Sequence, residues 1–365
     1  MRILDIINVL ETLAPSSLQE SYDNSGLIIG DSSTVCTGVM VALDATQQVI
    51  EEASRRNCNL VLVHHPLIFT GVKKIGTGDY TGRAIISAIK HDLAVYAIHT
   101  NLDNVITGVN GQMAELLSLK NTEVLLPKPG SLRKLSTFVP IQQLESLRKA
   151  LFSAGGGHIG KYSECSFDVS GTGTFTAGSG ANPFVGEIGI RHEEKESRLE
   201  MIFPAHLEQA ILKALKSAHP YEEVAYDIVV LANQLKTVGS GLIGDTAQEM
   251  EEMEFLELVK EKFKLQALRH TALTGTKVNR VALCGGAGSF LINKALASEA
   301  DIFVSSDIKY HEFFEANGRM LIADIGHYES EQFTINLLFD LLQEKFPNFA
   351  VLKSGSKTNP VQYLI

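Results

Sequence analysis

The stretch CNLVLVHHP, residues 58–66, decides how the chain begins to fold. Leu60, Val61, Leu62 and Val63 form a short uninterrupted apolar run, which suits a strand buried on both faces. Pro66 has no amide hydrogen to give a sheet and stops the strand, leaving His64 and His65 at its carboxyl-terminal lip. The flanking sequence repeats the pattern. TGVMVALD (37–44) is an apolar strand ending on Asp44, and ATQQVIEEASRRN after it is a helix. TGRAIISAIKHD is helical, and LAVYAIHTNLD (93–103) is a third strand running into a polar turn. Ahead of these, Ile3, Ile6, Ile7, Val9, Leu10 and Leu13 give residues 3–13 helical spacing. Alternating strands and helices predict a parallel sheet with helices on both faces.

The last third behaves alike. NRVALCGG (279–286) is a strand entering a glycine turn, followed by a helix over SFLINKALASEA. DIFVSSD (301–307) is a strand, and YHEFFEANG a short helix with a terminal glycine. RMLIADIGHYESEQF (319–333) begins as a strand and passes into a long amphipathic helix ending near Phe346. Between these parts, LRKLSTFVP, IQQLESLRKALFSAG, CSFDVSGTGTFTA, RLEMIFPAHLEQAILKALKSAHP and AYDIVVLA read as strand, helix, strand, strand, helix, strand. That order suggests an antiparallel sheet with two helices on one face. The expected architecture is α/β: a discontinuous domain over residues 1–128 and 237–365 with a parallel-rich sheet flanked by helices, and an inserted α+β ferredoxin-like domain over 129–236.

Composition narrows the chemistry. At 365 residues, either domain can bury its own core. The formal net charge of −10 makes nucleic-acid binding a poor fit, and no run approaches the roughly 20 apolar residues of a membrane helix. The N-terminal MRILDIINVLETLAP is interrupted by Asp5 and Glu11 and reads as an amphipathic helix, not a signal peptide. Cys36, Cys58, Cys165 and Cys284 are scattered, without a Cys-x-x-Cys pair. They read as reduced, buried thiols of a cytoplasmic protein, so any metal must be held by nitrogen and oxygen.

Five polar groups follow predicted strands: His64-His65, His99 with Asp103, the glycine turn CGGAGS, Ser306-Asp307, and Asp324 with His327 and Glu331. Ligands of open α/β sheets bind beyond the carboxyl ends of the strands, so all five should converge at one edge. His64 and His65 reach one centre if the strand ends there; otherwise they are ordinary loop histidines. His327 and Glu331, four apart on a helix, share a face and are either ligands or a solvated pair. Asp103 bridges ions or caps its turn, and His99 is placed behind it as an orienting group. Three histidines and two carboxylates without cysteine fit a binuclear hydrolytic site holding two divalent ions, zinc first, with manganese or iron as alternatives. Such a site makes Asp103 and Glu331 the candidate catalytic carboxylates. CGGAGS could cradle a phosphate but lacks a complete dinucleotide fingerprint, and a tight strand-to-helix turn explains it equally well. Asp307 and His311 are candidates for an acid, a base or substrate contacts, or Asp307 caps a helix. Tyr22 and Asn24 sit in a polar loop that is either near substrate or only a turn. HPYEE (219–223) resembles a second metal motif, but His219 at a helix end reads better as a cap.

ESYDNSGLIIG, LVLVHHPLIF, AIHTNLD, SSDIKYHEF and DIGHYESE, in this order, resemble the dinuclear-metal proteins related to NGG-one-interacting factor three, often described as type-two GTP cyclohydrolase I homologues. ANPFVGEIG and AHPYEEVAYDIVVL resemble the PII/CutA-like insert of the longer bacterial form. The resemblance implies metal ligands at His64, His65, Asp103, His327 and Glu331. It also implies a homohexameric ring with the sites facing a cavity, and water attack on a nucleotide. Two functions are carried forward: a metal-dependent hydrolase of a nucleotide or similar small molecule, and a non-enzymatic metal-binding, regulatory or metal-chaperone protein. A nicotinamide oxidoreductase would rest only on CGGAGS and the order of the elements.

Overall fold

The apolar runs form strands, and in the computed structural model, which describes residues 1–364, they are shared between separate sheets. The chain opens with α1 (Ile3–Leu13), β1 (Gly26–Ile29), β2 (Val39–Asp44), α2 (Gln47–Arg55), β3 (Leu60–His65), α3 (Tyr80–Lys90), β4 (Ala94–Ala97), α4 (Thr100–Asp103), α5 (Val109–Leu116) and β5 (Lys120–Pro127). Then come β6 (Leu132–Pro140), α6 (Leu144–Ser153), β7 (Phe167–Thr176), β8 (Arg191–Pro204), α7 (Glu208–Ala218) and β9 (Tyr226–Val230). The remainder is β10 (Gly239–Glu251), α8 (Glu252–Lys262), β11 (Arg269–His270), β12 (Lys277–Ala287), α9 (Ile292–Ala297), β13 (Ile302–Ser306), β14 (Leu321–Asp324), α10 (His327–Glu331), α11 (Thr334–Lys345) and β15 (Val351–Lys353). Two compact units result, one from residues 1–127 with 236 onward and one from Lys128–Leu235.

In the first unit the parallel strands fall in two sheets. One has the order β1-β4-β3-β2-β15, parallel except for β1. The other has the order β11-β14-β13-β12-β10-β5, with β12, β13 and β14 parallel and the rest antiparallel. Periodicity carries no sign of this division, because β5 and β10 are partners from opposite ends of the long middle segment. Side chains alternate strictly across the second sheet. Val281, Leu283, Ile302, Val304, Leu321 and Ala323 pack with Phe255, Val259 and Met113, whereas Ala282, Cys284, Phe303 and Ile322 pack with Leu291, Ile292 and Ala295. Each fully buried Leu, Val, Ile or Phe of this kind stabilises by roughly 1.5–3 kcal/mol. Among the described residues, no helix is long and apolar enough to cross a membrane.

Two local expectations change. The single long helix foreseen to carry His327 and Glu331 at its start and end near Phe346 is broken: α10 packs on β12 and β13, whereas α11 packs on β2 and β15. One straight helix could not serve both sheets, and the break falls where Phe333 packs edge-on against Phe263, 6.1 Å away. YHEFFEANG contains a 3₁₀ turn at Glu312–Ala316, and its left-handed exit begins at Asn317, with φ of 51°.

In the second unit, β7, β8, β6 and β9 form a four-stranded antiparallel sheet. Leu135, Leu199, Met201 and Phe203 from its strands bury against Leu147 and Leu151 of α6 and Ile211 and Leu215 of α7.

Candidate metal centre

His64 and His65 are the last two residues of β3, which stops before Pro66. Asp103 closes the short helix α4, and His327 and Glu331 are the first and last residues of α10. The two sheets bring these together. His65 Nε2 lies 2.8 Å from Glu331 Oε2, and His327 Nε2 lies 3.2 Å from the same oxygen. His64 Nε2 is 3.5 Å from Asp103 Oδ1 and 3.8 Å from Glu331 Oε1. Glu331 is 2% exposed and stands between three imidazoles.

Each histidine is oriented from behind. His65 Nδ1 donates to Asp44 Oδ1 at 2.7 Å, His327 Nδ1 to Asp307 Oδ2 at 2.7 Å, and His99 Nδ1 to Asp23 Oδ1 at 2.8 Å. His64 Nδ1 donates to the Ile98 carbonyl at 2.8 Å. A proton held at Nδ1 leaves Nε2 as the free lone pair, the arrangement typical of metal-binding histidines. These tautomers are assigned from the partners.

Two of the inner atoms lack partners. His64 Nε2 and Asp103 Oδ1 are buried and make no hydrogen bond. His65 Nε2 and His327 Nε2 face each other at 3.3 Å, which two lone pairs tolerate only with a shared proton or cation. Ligand atoms within 4.8 Å of one another form three groupings: His64–His65–His99, His65–His327–Glu331 and His64–Asp103–Glu331. A buried polar atom without a partner costs about 1–3 kcal/mol, and a cation among these atoms would satisfy them all. The donors therefore fit a divalent metal of the nitrogen- and oxygen-binding kind.

Charge regulation agrees. Burial disfavours the charged form of His65, but the hydrogen bonds it donates to Asp44 and Glu331 outweigh it and push its pKa up to about 9. His327 is likewise desolvated, yet Asp307 and Glu331 push it up to about 11. Burial and the adjacent Glu331 raise Asp103 to about 7. Glu331 is itself desolvated, but its histidine neighbours hold it well below the usual range. At pH 7 the metal-free site therefore carries protons on His65 and His327 that a metal must displace. Metal loading at pH 7 is expected to release about two protons per chain or more, and affinity should rise as pH rises toward 9. Calorimetric titration in buffers of different ionisation heat measures this release. In the metal-free chain the raised values act on stability with the opposite trend. The His65 contribution is fully present below the unfolded value of 6.5 and is lost as pH rises through about 9.

A family model described as Duf34/NIF3 (NGG1p interacting factor 3) matches residues 1–360. The chain belongs to this family. Its Duf34/NIF3 relatives include a Bacillus subtilis protein named "GTP cyclohydrolase 1 type 2 homolog", 38% identical over 364 residues and 98% of both chains. A Halalkalibacterium halodurans protein of the same name is 39% identical over the same extent. Among solved structures, a Bacillus cereus protein related to NIF3 has a TM-score of 0.86 at 38% identity, covering 100% of this chain and 99% of its own. A Staphylococcus aureus protein has a TM-score of 0.78 at 29% identity, with the same coverage.

Around this Duf34/NIF3 site, several residues take roles other than those expected. His99 does not orient Asp103 through its ring. It bonds Asp23 and packs 5.2 Å from His64 and 5.5 Å from His65, which makes it a candidate ligand. Asp307 does not cap a helix; it adopts φ of 55° and accepts from His327 Nδ1. His311 is exposed and packs with Tyr310 and Phe314, outside the cluster. Asn24 donates to the Ile68 carbonyl at 2.7 Å, tying its loop to the segment after Pro66. Tyr22 is 73% exposed, and burial of its hydroxyl and then the charges of Glu20, Asp103 and Asp23 raise its pKa.

The glycine turn is no phosphate cradle at its first two amides, since Gly285 N donates to Asn110 and Gly286 N to Ser330. In HPYEE, His219 Nε2 bonds the Phe138 carbonyl and Tyr221 bonds Glu196, a structural arrangement. Asp44 and Asp23 were missed as orienting groups. The signal for Asp44 was its place at the end of its strand, where it pairs in register with His65. Asp23 lies in the quoted loop but is joined to His99 only by the fold.

Proposed function

We propose that this chain is a binuclear metal-dependent hydrolase acting on a small molecule, a nucleotide or related heterocycle. The observation that carries this reading is the convergence of His64, His65, Asp103, His327 and Glu331, with two buried donor atoms left unpaired. These five residues would hold two divalent ions, zinc first, with manganese or iron as alternatives. When bound, such ions lower the pKa of a coordinated water and polarise the bond it attacks. Glu331 and Asp103 supply the negative charge that neutralises the ions, and Asp44, Asp307 and the Ile98 carbonyl fix the imidazoles that face them. Phe69, edge-on to His99 at 5.6 Å, sets an apolar ring beside the cluster. The relatives named as type 2 GTP cyclohydrolase homologues support a nucleotide as the first substrate to try. A hexameric ring belongs to the same proposal, and sedimentation of the purified chain measures it.

Metal-loaded wild-type protein is expected to turn over at least one member of a panel of nucleotides, pterins and phosphoesters, and Glu331→Ala is not. Equal rates in the two proteins, with metal bound in the wild type, would favour the metal-handling alternative.

A further inference from the structure

Residues 354–364, beyond β15, form no regular element, yet they are anchored at three places. The first is Glu52, which accepts from Ser354 Oγ at 2.6 Å, Gly355 N at 3.0 Å, Ser356 Oγ at 3.0 Å and Ser356 N at 3.3 Å. The second is Asp44, whose Oδ2 accepts from Thr358 Oγ1. The third lies across the centre, at the turn that opens α10. Asn359 Nδ2 donates to Glu329 Oε1 at 3.0 Å, and the Tyr363 hydroxyl sits against Gly326, where an added Cβ would lie 3.0 Å from it. The same short stretch thus touches a carboxylate that orients His65 and the turn that carries His327 and Glu331.

We infer that the C-terminal segment is a strap that positions the metal ligands, with Thr358 acting through Asp44 on His65. This rests on the metal-centre reading above. Asp44 Oδ1 accepts from His65 Nδ1 at 2.7 Å, and it can do so only while its carboxylate keeps one rotation. Thr358 on the other oxygen fixes that rotation. A ring held at Nδ1 presents Nε2 to the metal at one angle; a ring freed there swings, and ligand groups supported in this way typically account for 10–100-fold in metal affinity. Thr358 is a positioning residue, since it touches neither metal nor substrate. Asn359 and Tyr363 tie the other end of the strap to the elements of the second sheet, so both halves of the ligand set are referenced to one segment.

The test is a cobalt(II) titration of the full chain followed by visible absorption, on wild type, Thr358→Val and Thr358→Ser. Thr358→Val is expected to weaken cobalt binding about 10–100-fold and to shift the visible bands, with far-UV circular dichroism unchanged. Thr358→Ser, which keeps the hydroxyl, should restore both. Should Thr358→Val fail to fold, Thr358→Ala removes the same hydroxyl without adding a misfitting methyl. Wild-type affinity and spectrum in the hydroxyl-free variant would overturn the strap alone. Absence of cobalt uptake by wild type would overturn the metal reading and the strap together.

Discussion

Glu331→Ala is expected to lose metal by at least about 100-fold, more than removal of an orienting partner costs, and to destabilise the metal-free chain as well. Glu331 accepts from His65 and His327, and its other oxygen faces His64. Its removal leaves two imidazole nitrogens 3.3 Å apart with no carboxylate between them, Asp44 and Asp307 remaining only on their far sides. Breaking a buried ion pair from one side typically costs about 3–5 kcal/mol. Part of that cost is relieved because the histidines shed their protons, so the variant's His65 and His327 should titrate well below the raised wild-type values. Metal retention, denaturant unfolding and histidine titration by nuclear magnetic resonance check the three parts. Retained metal with unchanged histidine titration would show that Glu331 is not the centre of the ligand set.

Gly286→Ala is expected to damage the site from outside the ligand set. Gly286 has φ of 63°, and a Cβ there would lie 2.4 Å from Glu331 Oε1 and 3.4 Å from His327 Cε1. The backbone strain alone costs about 1–2 kcal/mol, and the contact forces Glu331 out of position. Gly318→Ala separates the two effects, since Gly318 has φ of 64° but open space where its Cβ would go. Both variants should lower the unfolding midpoint, and only Gly286→Ala should lose metal. Equal metal content in the two variants would show that the glycine turn serves the backbone alone. Within CGGAGS, position 286 is glycine because a carboxylate and an imidazole pack where its side chain would otherwise be, whereas Gly285 faces Val109 and Gly288 faces Ser305.

The strand runs were legible because burial on two faces leaves an unbroken apolar word, as in Leu60–Val63 and Ile302–Val304. The ligand types were legible for a related reason: a histidine directly after such a word stands at a strand's carboxyl end. What the sequence does not carry is pairing at long range. Nothing near Asp44 names His65 as its partner, and nothing near Asp23 names His99, because those bonds exist only once separate strands lie side by side. The division into two sheets and the break between α10 and α11 were hidden likewise, since each depends on which surface a helix must cover. His311 shows the opposite case. It is close to Asp307 in sequence, but the turn after β13 carries it outward.

The most direct test of the metal centre is the metal content of tag-free wild-type chain after reconstitution with zinc, manganese or iron and removal of free ions by gel filtration. About two ions per chain are expected for a two-metal hydrolytic site, held by wild type and lost by Asp103→Ala. No stoichiometric metal with any of the three ions would contradict the account, leaving the buried lone pairs of His64 and Asp103 without their proposed partner.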